Sequence, residues 1–461
     1  MRRLPLIVLI VALAAGACQK KPAPDRAALT QTAIDAAMWG MPIVSFDAMR
    51  QAFFRDAGAQ YGDIAYLSAP ADWKLQLTTP NGSAYYVYFN FNTKDGPLVL
   101  DVPPAAGAGL FGSMLDAWQV PVADIGPQGE DQGKGGRYLL MPPDYAPDPP
   151  TGYIPVRLGT FNGYAAFRAI PQSSSSAAVS RALGLVQKLR LYPLAAADSV
   201  PETRFVDLSG KLFDGIVRFD ASFYASLAHM IDEEPVLPRD TAMIAKLRTL
   251  GIEKGKQFEP DTLMQAVLNG AAKQVQSTLI AKIADDGVEF WPGRRWKGPN
   301  PAGANTGFTF VNDGQLDVDA RAVMYFLACA PPKKLGKATF YLSAYVDSAG
   351  QALGGDKTYH LHVPAKVPAA QFWALTICDR NTAAFIRESP KIELNSYDRA
   401  IRRNRDGSVD LYIGSQAPAG RQSNWVYTAP GGTWFTLFRF YGPQPALMDQ
   451  TWQLPDIAEV P

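Results

Sequence analysis

The spacing of apolar residues changes twice along this chain, and these changes constrain its fold more than any other feature. In Tyr85–Asn92 the residues Tyr85, Val87, Phe89 and Phe91 recur at every second position, which predicts a β-strand because side chains alternate between the two faces of a strand. From residue 173 to residue 286 apolar residues recur every three or four positions, which predicts helices. Strands return after residue 307. The sequence therefore predicts a mainly β protein with a helical segment in its middle.

The first β region, within residues 28–172, begins with a predicted helix that has Thr30 or Thr32 near its start. Pro42 is expected to interrupt this helix because proline lacks the backbone N–H. Glycine and proline residues separate the strand-like runs, a pattern that favours a β-sandwich. Besides Tyr85–Asn92, these runs are 97–102, 112–118, 137–141 and 164–170.

Residues 173–300 form the predicted helical segment, and residues 301–461 form the second β domain. Asp240 is a plausible N-cap for a helix over 241–250, with Gly251 just beyond its end. Asp261 is expected to cap a longer helix that runs to Ile283. Regular strands with short turns in the last domain favour a jelly roll or a sandwich. These strand-like runs are 339–346, 358–363, 372–378, 408–413 and 434–441.

The amino-terminal residues predict where the protein is located. Arg2 and Arg3 precede an uncharged stretch over residues 4–17, which has the form of a secretory signal peptide and is too short to span a bilayer. Cys18 after small residues resembles the lipobox of bacterial lipoproteins, which implies lipidation of Cys18 and a tether over residues 18–27. Gln19 favours the outer membrane of the bacterial cell envelope, facing the periplasm. Several acyl chains would anchor the protein durably.

Charge and cysteine content narrow the choice of partners. Lysine and arginine total 44 against 43 acidic residues, and loss of the signal leaves 42 against 43, a net charge of −1. This balance predicts no nucleic-acid partner, since nucleic-acid binding requires a basic surface. Cys329 and Cys378 lie in apolar runs and are predicted to be buried thiols, although a disulfide between them is an alternative in the periplasm.

Several segments resemble two families named as domains of unknown function. The segments that resemble DUF1254 are Met38-Trp-Gly-Met-Pro-Ile-Val44, Thr79-Pro-Asn81, Gly96-Pro-Leu-Val-Leu100, Leu115-Asp-Ala-Trp118, Ile125-Gly126 and Gly135-Gly-Arg-Tyr-Leu139. Those that resemble DUF1214 are Arg321-Ala322, Tyr345, Tyr359-His-Leu-His362, Phe372-Trp-Ala-Leu-Thr376, Asp406-Gly-Ser-Val-Asp-Leu-Tyr412, Asn424-Trp425, Arg439-Phe-Tyr441 and Trp452. The resemblance implies an N-terminal immunoglobulin-like β-sandwich, a middle α-helical region and a C-terminal jelly-roll-like β-sandwich. The chain departs from the DUF1254 pattern at Gly82-Ser83-Ala84, where the family usually has Asn-Asp-Thr.

His360 and His362 are the candidate metal ligands, because residues two apart on a strand point to the same face. A structural role is favoured, since metal sites normally have three or more protein ligands and no carboxylate follows this pair. The third histidine of the chain, His229, lies in the helical segment. We therefore predict no metal and no cofactor.

Arg439 and Asp116 are the candidate catalytic residues. Arg439 lies on a strand that is apolar on both faces, so its charge requires a partner. That partner is either an aspartate (Asp379, Asp398 or Asp410) or the carboxylate or phosphate of a ligand. Asp116 is a general base if burial raises its pKa; otherwise it binds backbone at a strand end.

The candidate ligand-binding residues are Asn81, Tyr86, Trp118 and Trp373, although most aromatic residues are expected to form the core. The sequence contains no Gly-x-Ser-x-Gly, His-Glu-x-x-His, phosphate-loop or Cys-x-x-Cys motif. We therefore expect an envelope lipoprotein that binds a small molecule or a partner through its paired β domains. The alternatives are a hydrolase- or lyase-like enzyme with a site between the domains, and a structural protein that self-associates as a homo-oligomer.

Overall fold

The computed structural model describes residues 25–173, 175–285, 287–334 and 339–460. The predicted signal peptide and the predicted lipidation site, Cys18, lie outside these residues. The helices are α1 (Arg26–Arg55), α2 (Ser176–Val186), α3 (Ala221–Glu233), α4 (Thr241–Leu247), α5 (Thr262–Ile283), α6 (Pro301–Asn305), α7 (Val318–Leu327) and α8 (Pro445–Met448). None of the helices in the described residues has the length and apolar character needed to cross a membrane.

The strands follow in chain order. Those of the first half are β1 (Ile64–Tyr66), β2 (Leu75–Gln76), β3 (Tyr85–Asn92), β4 (Leu98–Val102), β5 (Gly109–Asp116), β6 (Pro121–Ile125), β7 (Gly136–Met141), β8 (Ile154–Arg157), β9 (Asn162–Ile170), β10 (Arg190–Pro193), β11 (Phe205–Asp207) and β12 (Phe213–Asp214). Those of the second half are β13 (Val288–Glu289), β14 (Lys297–Gly298), β15 (Val311–Asn312), β16 (Gln315–Leu316), β17 (Thr339–Ala344), β18 (Thr358–Val363), β19 (Ala369–Asp379), β20 (Glu393–Asn395), β21 (Val409–Gly414), β22 (Trp425–Tyr427), β23 (Trp434–Pro443) and β24 (Ala458–Val460).

Each half of the chain forms a sandwich of one six-stranded and one four-stranded sheet. In the N-terminal half the sheet orders are β11-β1-β3-β9-β5-β6 and β10-β4-β7-β8. In the C-terminal half they are β13-β14-β17-β23-β19-β20 and β22-β21-β18-β24. The predicted fold class, a mainly β chain with an immunoglobulin-like and a jelly-roll-like sandwich and helices between them, is confirmed.

Helix α1 forms the centre of the N-terminal half, and the large sheet packs against it. Phe46 stacks on Tyr164 of β9 with ring centroids 5.7 Å apart, and Phe53 meets Tyr88 of β3 edge-on at 5.8 Å. Helices α3, α5 and α7 pack on other sides of α1. Gly40 allows α3 to approach closely, because a Cβ at this position would lie 2.9 Å from a methyl carbon of Leu227.

The prediction that Pro42 interrupts the first helix is wrong. Helix α1 continues through Pro42, and the side chain of Asp25 caps it by accepting from the N–H of Ala27. Side chains from other elements bind the backbone carbonyls near the proline: Arg321 donates to Trp39 O at 2.6 Å, and Gln119 donates to Pro42 O at 2.8 Å. Side chains from distant segments thus bind the helix backbone next to the proline, and α1 continues through it.

The middle of the chain contains the predicted helices together with several short strands. The side chain of Asp261 caps α5 by accepting from Met264 N at 2.7 Å. Helix α4 continues into a 3₁₀ turn that ends at Gly251, with φ of 81°. Strands β10 and β11 extend the N-terminal sheets, whereas β13 and β14 extend the large C-terminal sheet. Strands of two to four residues are too short to show a period in the sequence, which explains why this segment was predicted as helical.

Candidate functional site

A large cavity lies between the two six-stranded sheets. Its volume is about 910 Å³, near the upper end of the range for small-molecule sites, roughly 300–1,000 Å³. Strands β3, β5 and β9 form one wall, β17 and β23 form the opposite wall, and the chain that follows α7 closes one side. The lining is mainly apolar and rich in aromatic rings.

Each wall of the cavity carries an arginine paired with a tyrosine on the neighbouring strand. Arg168 of β9 lies opposite Tyr86 of β3, and its guanidinium carbon is 5.6 Å from the ring centroid. Arg439 of β23 lies opposite Tyr341 of β17, with the corresponding distance 5.2 Å. All four residues line the cavity, together with Tyr441.

Other groups of the protein accept hydrogen bonds from both Nη atoms of Arg439. Its Nη1 donates to Thr376 Oγ1 at 2.6 Å, and its Nη2 donates to the carbonyls of Thr79 and Pro80, both at 2.9 Å. Glu393 Oε2 lies 3.7 Å from Nη1. Arg439 is 1% exposed, so a buried cation holds the 79–80 loop of the N-terminal domain against the C-terminal sheet.

The ion-pair partner of Arg439 differs from the predicted ones. The sequence suggested Asp379, Asp398 or Asp410, whereas the structure places Glu393 beside the guanidinium. Strand β20 pairs with β19 so that Glu393 lies opposite Thr376, which itself binds Arg439. This pairing between distant segments could not be read from the strand that carries the arginine.

Glu393 also connects the two domains directly. Its carboxylate accepts from the backbone N–H of Gly82 at 3.1 Å and from the hydroxyls of Ser83 and Thr376. A Cβ on Gly82 would lie 3.2 Å from the Glu393 carboxyl carbon. The Gly82-Ser83 departure from the family pattern thus lies at this interdomain contact, where a small residue and a hydroxyl fit the carboxylate.

Arg168 lacks such an acidic partner. Among the described residues no carboxylate forms an ion pair with Arg168, and its Nε is buried without a hydrogen-bond partner. The groups that face its guanidinium are the hydroxyls of Tyr341, Tyr86 and Tyr441, of which Tyr86 is hydrogen-bonded to it. A desolvated cation without a counter-ion is costly, and guanidinium binds carboxylate and phosphate groups with two parallel hydrogen bonds.

The remaining charges of the lining are already engaged or also positive. Asp124 is the one carboxylate among the described lining residues, and it accepts from Ser113 Oγ at 2.8 Å and from the backbone N–H groups of Lys333 and Lys334, both at 2.9 Å. Lys297 also lines the cavity. The positive charges of the cavity wall therefore exceed the negative ones.

The tyrosines of the cavity differ in acidity. Burial raises the pKa of Tyr86 and raises that of Tyr441 well above its usual value. Burial acts in the same direction on Tyr341, but the charges of Arg168 and Arg439 outweigh it and lower the pKa of Tyr341.

The structure brings together some of the residues that the sequence singled out. Asn81, Tyr86 and Arg439 line the cavity. Trp373 lies in the C-terminal core, where it stacks on Phe438 with ring centroids 5.4 Å apart. It is not among the described residues of the lining.

Asp116 and Trp118 also lie outside the described lining, so the structure does not bring Asp116 to Arg439. The Trp118 ring packs 4.8 Å from the ring of Trp39 and 5.2 Å from the guanidinium carbon of Arg321. Asp116 accepts from the backbone N–H of Val120 at 2.9 Å. Burial raises the pKa of Asp116 to about 6, but no cavity adjoins it among the described pockets.

His360 and His362 lie side by side on β18, as their spacing predicts. Both rings hydrogen-bond Asp410 Oδ1, at 3.0 and 2.8 Å. The other oxygen of Asp410 accepts from Asn404 at 2.9 Å. In the described part of the chain, no group of three or more histidine, cysteine, aspartate or glutamate residues is arranged to hold a metal ion.

Cys329 and Cys378 are both free thiols. Cys378 is buried, whereas Cys329 is half-buried and lines the cavity.

Two further residues of the cavity, Arg168 and Tyr341, were missed by the sequence analysis. The signal for Arg168 was present: a single arginine in a strand that is otherwise mostly apolar, the same signal that identified Arg439.

Comparisons with protein families agree with this two-part architecture. Residues 62–193 match the family described as protein of unknown function DUF1254, and residues 338–445 match protein of unknown function DUF1214. The chain therefore has a two-domain architecture, with a DUF1254 domain followed by a DUF1214 domain.

Solved structures also match this chain. The VPA0106 protein from Vibrio parahaemolyticus matches with a TM-score of 0.55 and 16% sequence identity, over 94% of this chain and 100% of that one. At this identity the match supports the fold alone. An uncharacterized protein from Burkholderia cenocepacia matches with a TM-score of 0.41 and 13% identity, over 95% of each chain. A comparison with curated proteins gave no significant match.

Proposed function

We propose that this protein binds a small organic anion with an apolar, aromatic body in the cavity between its two domains. The observation that carries this proposal is Arg168, a cavity-lining cation that has no carboxylate partner among the described residues. A carboxylate or phosphate of the ligand would supply the missing counter-ion.

The shape and surface of the cavity support the same class of ligand. Its mainly apolar lining includes the rings of Tyr66, Tyr88, Phe111, Phe213 and Phe340. Apolar and aromatic walls with few polar groups are typical of small-molecule sites. Arg168 would therefore orient the charged end of a ligand whose body packs against aromatic side chains.

The proposal is tested by comparing phenylacetate with phenylacetamide, its neutral counterpart of similar size. We expect phenylacetate to raise the melting temperature and phenylacetamide to raise it much less, because a ligand stabilises the state that binds it. Arg168→Gln should abolish this difference. Arg137→Gln is the matched control, since Arg137 also stacks on a tyrosine, Tyr153 at 4.5 Å, but lies outside the described lining.

Two results would contradict the proposal. One is equal stabilisation of the wild-type protein by the acid and the amide. The other is an unchanged preference for phenylacetate in Arg168→Gln, which would place the anion elsewhere. Phenyl phosphate, measured in the same way, distinguishes a preference for phosphate from one for carboxylate.

We also propose that the protein is anchored by lipid at Cys18 to the bacterial outer membrane, facing the periplasm. The support is the charged, apolar and small-residue order of the first 18 residues. Mass spectrometry should find an acylated amino-terminal cysteine in the membrane fraction, and Cys18→Ser should release the protein from it. An unmodified amino terminus in the wild-type protein would contradict the proposal.

A further inference from the structure

The cavity is long, and its charged and aromatic groups lie at different positions along it. We propose that its ligand is an arylalkanoate, an acid in which several methylenes separate an aromatic ring from the carboxylate. The proposal rests on the proposed anion binding by Arg168 and specifies the apolar body of the ligand. It is supported by the register of the lining strands, by the exposure of one end of the cavity and by an aromatic cluster at the other end.

The lining residues of β9 show how far the cavity extends. Tyr164, Ala166, Arg168 and Ile170 all line it and occupy every second position of the strand, so they lie on one face. Because a strand rises about 3.4 Å per residue, this row extends for about 20 Å. Arg168 is near one end of the row, and about 14 Å of strand separates it from Tyr164 at the other end.

The end of the cavity nearest Arg168 is open to solvent. Gln172, just beyond β9, lines this end and is exposed. Gln371 also lines the cavity and is exposed, and it precedes Phe372, which pairs with Tyr441, a residue that faces Arg168. A carboxylate bound by Arg168 at this end would keep contact with water, which reduces the cost of its desolvation.

The other end of the cavity is buried and aromatic. Tyr88 and Tyr164 line it with ring centroids 5.9 Å apart, and Phe213 meets Tyr88 edge-on, also at 5.9 Å. Met49 of α1 lines the same cavity and is 3% exposed. Aromatic rings favour offset and edge contacts with other rings, so this cluster would bind the ring of the ligand.

The hydroxyls of these two tyrosines are already bonded within the protein. Tyr164 donates to Gln119 Oε1 at 2.8 Å and accepts from the N–H of Ala330 at 3.0 Å. Tyr88 donates to Asn90 Oδ1 at 3.2 Å. Both residues therefore offer the cavity their rings, and the buried end suits an apolar group of the ligand.

The middle section of the cavity connects the two ends. Ala166 lies on β9 midway between Arg168 and Tyr164, and on the opposite wall Leu437 lies two residues from Arg439 on β23. A chain of methylenes suits a section with such side chains. Phenylacetate has one methylene between ring and carboxylate, so it would reach only one end of the cavity at a time.

The test compares phenylacetate, phenylbutyrate and phenylhexanoate, each with its ring on the last carbon, by isothermal titration calorimetry with the full-length protein. We expect the Kd to fall about fourfold for each added methylene, because each one is buried in the cavity. Cyclohexylhexanoate should bind more weakly than phenylhexanoate, since its saturated ring makes no aromatic contacts. Equal or tighter binding of the cyclohexyl acid would overturn the placement of the ring in the aromatic cluster.

Ala166→Leu tests the path of the chain. The larger side chain would narrow the middle section, so phenylhexanoate should bind about tenfold more weakly or worse, while phenylacetate should keep its affinity. Ala225→Leu is the matched control, since Ala225 is exposed on α3 and lies outside the described lining. Equal affinity of the two variants for phenylhexanoate would overturn the path along β9, and the series of acids tests the wild type without either variant.

The outcomes separate this inference from the proposed function. If the wild type prefers phenylacetate to phenylacetamide but its affinity does not rise with chain length, the arylalkanoate is overturned and anion binding stands. If no acid of the series binds more tightly than its amide, anion binding and the inference that rests on it are both overturned. A rise with chain length that is lost in Arg168→Gln and in Ala166→Leu supports both.

Discussion

Each wall of the interdomain cavity carries an arginine–tyrosine pair, but the two arginines differ in their partners. On each wall an arginine of a central strand lies opposite a tyrosine of the adjacent strand, Arg168 with Tyr86 and Arg439 with Tyr341. Arg439 has Glu393 nearby and binds two backbone carbonyls and a hydroxyl. Arg168 has no acidic partner among the described residues, whereas the Nε atom is buried without a hydrogen-bond partner in both arginines.

This difference separates a structural charge from a functional one. A buried charge that protein groups satisfy contributes to the fold, and removal of one partner leaves the other uncompensated. A charge that the fold leaves without a counter-ion lowers stability and is retained for another reason. By this criterion Arg439 connects the domains, and Arg168 is the candidate residue for binding the proposed ligand.

The largest expected effect comes from replacing each arginine with methionine. Arg439→Met should lower the free energy of unfolding by about 3–5 kcal/mol, because Glu393 loses its cation and two carbonyls lose their donor. Arg168→Met should change it by less than about 1 kcal/mol or increase it, since an unpaired buried charge is removed. Urea unfolding of the three proteins measures both changes.

Equal destabilisation by the two substitutions would remove the distinction between the walls. Circular dichroism at zero denaturant provides the control, since both variants should retain the strand content of the wild type. Arg168→Met should also lose its response to phenylacetate, whereas any folded fraction of Arg439→Met should keep it.

Asp116 extends the comparison to a buried charge that lies outside the cavity lining. Burial raises its pKa to about 6, so the folded state binds its proton more tightly than the unfolded state. The resulting stabilisation is full below the unfolded pKa of about 4 and is lost as the pH rises through about 6. Asp116→Asn should therefore increase the stability at pH 7.5 by about 1–3 kcal/mol, while making little difference at pH 4.

Urea unfolding at these two pH values measures the effect. Asparagine retains the acceptor oxygen that binds Val120 N, so the substitution changes charge more than shape. Unaltered stabilisation by phenylacetate is expected in Asp116→Asn. A lost response would mean that Asp116 belongs to the binding site after all.

The sequence predicted the layers of the fold better than the contacts between them. The alternation in Tyr85–Asn92 and the cap at Asp261 are local signals, and both elements formed as predicted. Pro42 was expected to interrupt α1, but the helix continues through it, and side chains distant in sequence, Gln119 and Arg321, bind carbonyls nearby. Local propensity cannot reveal such tertiary contacts.

The same limit applies to the site. The sequence identified Arg439 as an unusual arginine in an apolar strand, but its structural role depends on Glu393. Glu393 lies beside Arg439 only because β20 pairs with β19. Arg168 carries a similar local signal. What distinguishes the two residues is the presence or absence of a carboxylate from a distant segment, and this appears only in three dimensions.

The smallest expected effect concerns the contact between Ser83 and Glu393. Ser83→Asp would place a second carboxylate against Glu393, and two adjacent carboxylates cannot both ionise without cost. We expect Ser83→Asp to lower the free energy of unfolding by about 1–2 kcal/mol at pH 7.5. This loss should diminish toward pH 4, because the repulsion acts only when both carboxyl groups are ionised. Ser83→Asn, of nearly equal size, is the neutral control, and urea unfolding measures both variants. If Ser83→Asp and Ser83→Asn lose stability equally at each pH, the size of the side chain rather than its charge governs this contact. The charge of Glu393 would then not distinguish the Arg439 wall from the Arg168 wall.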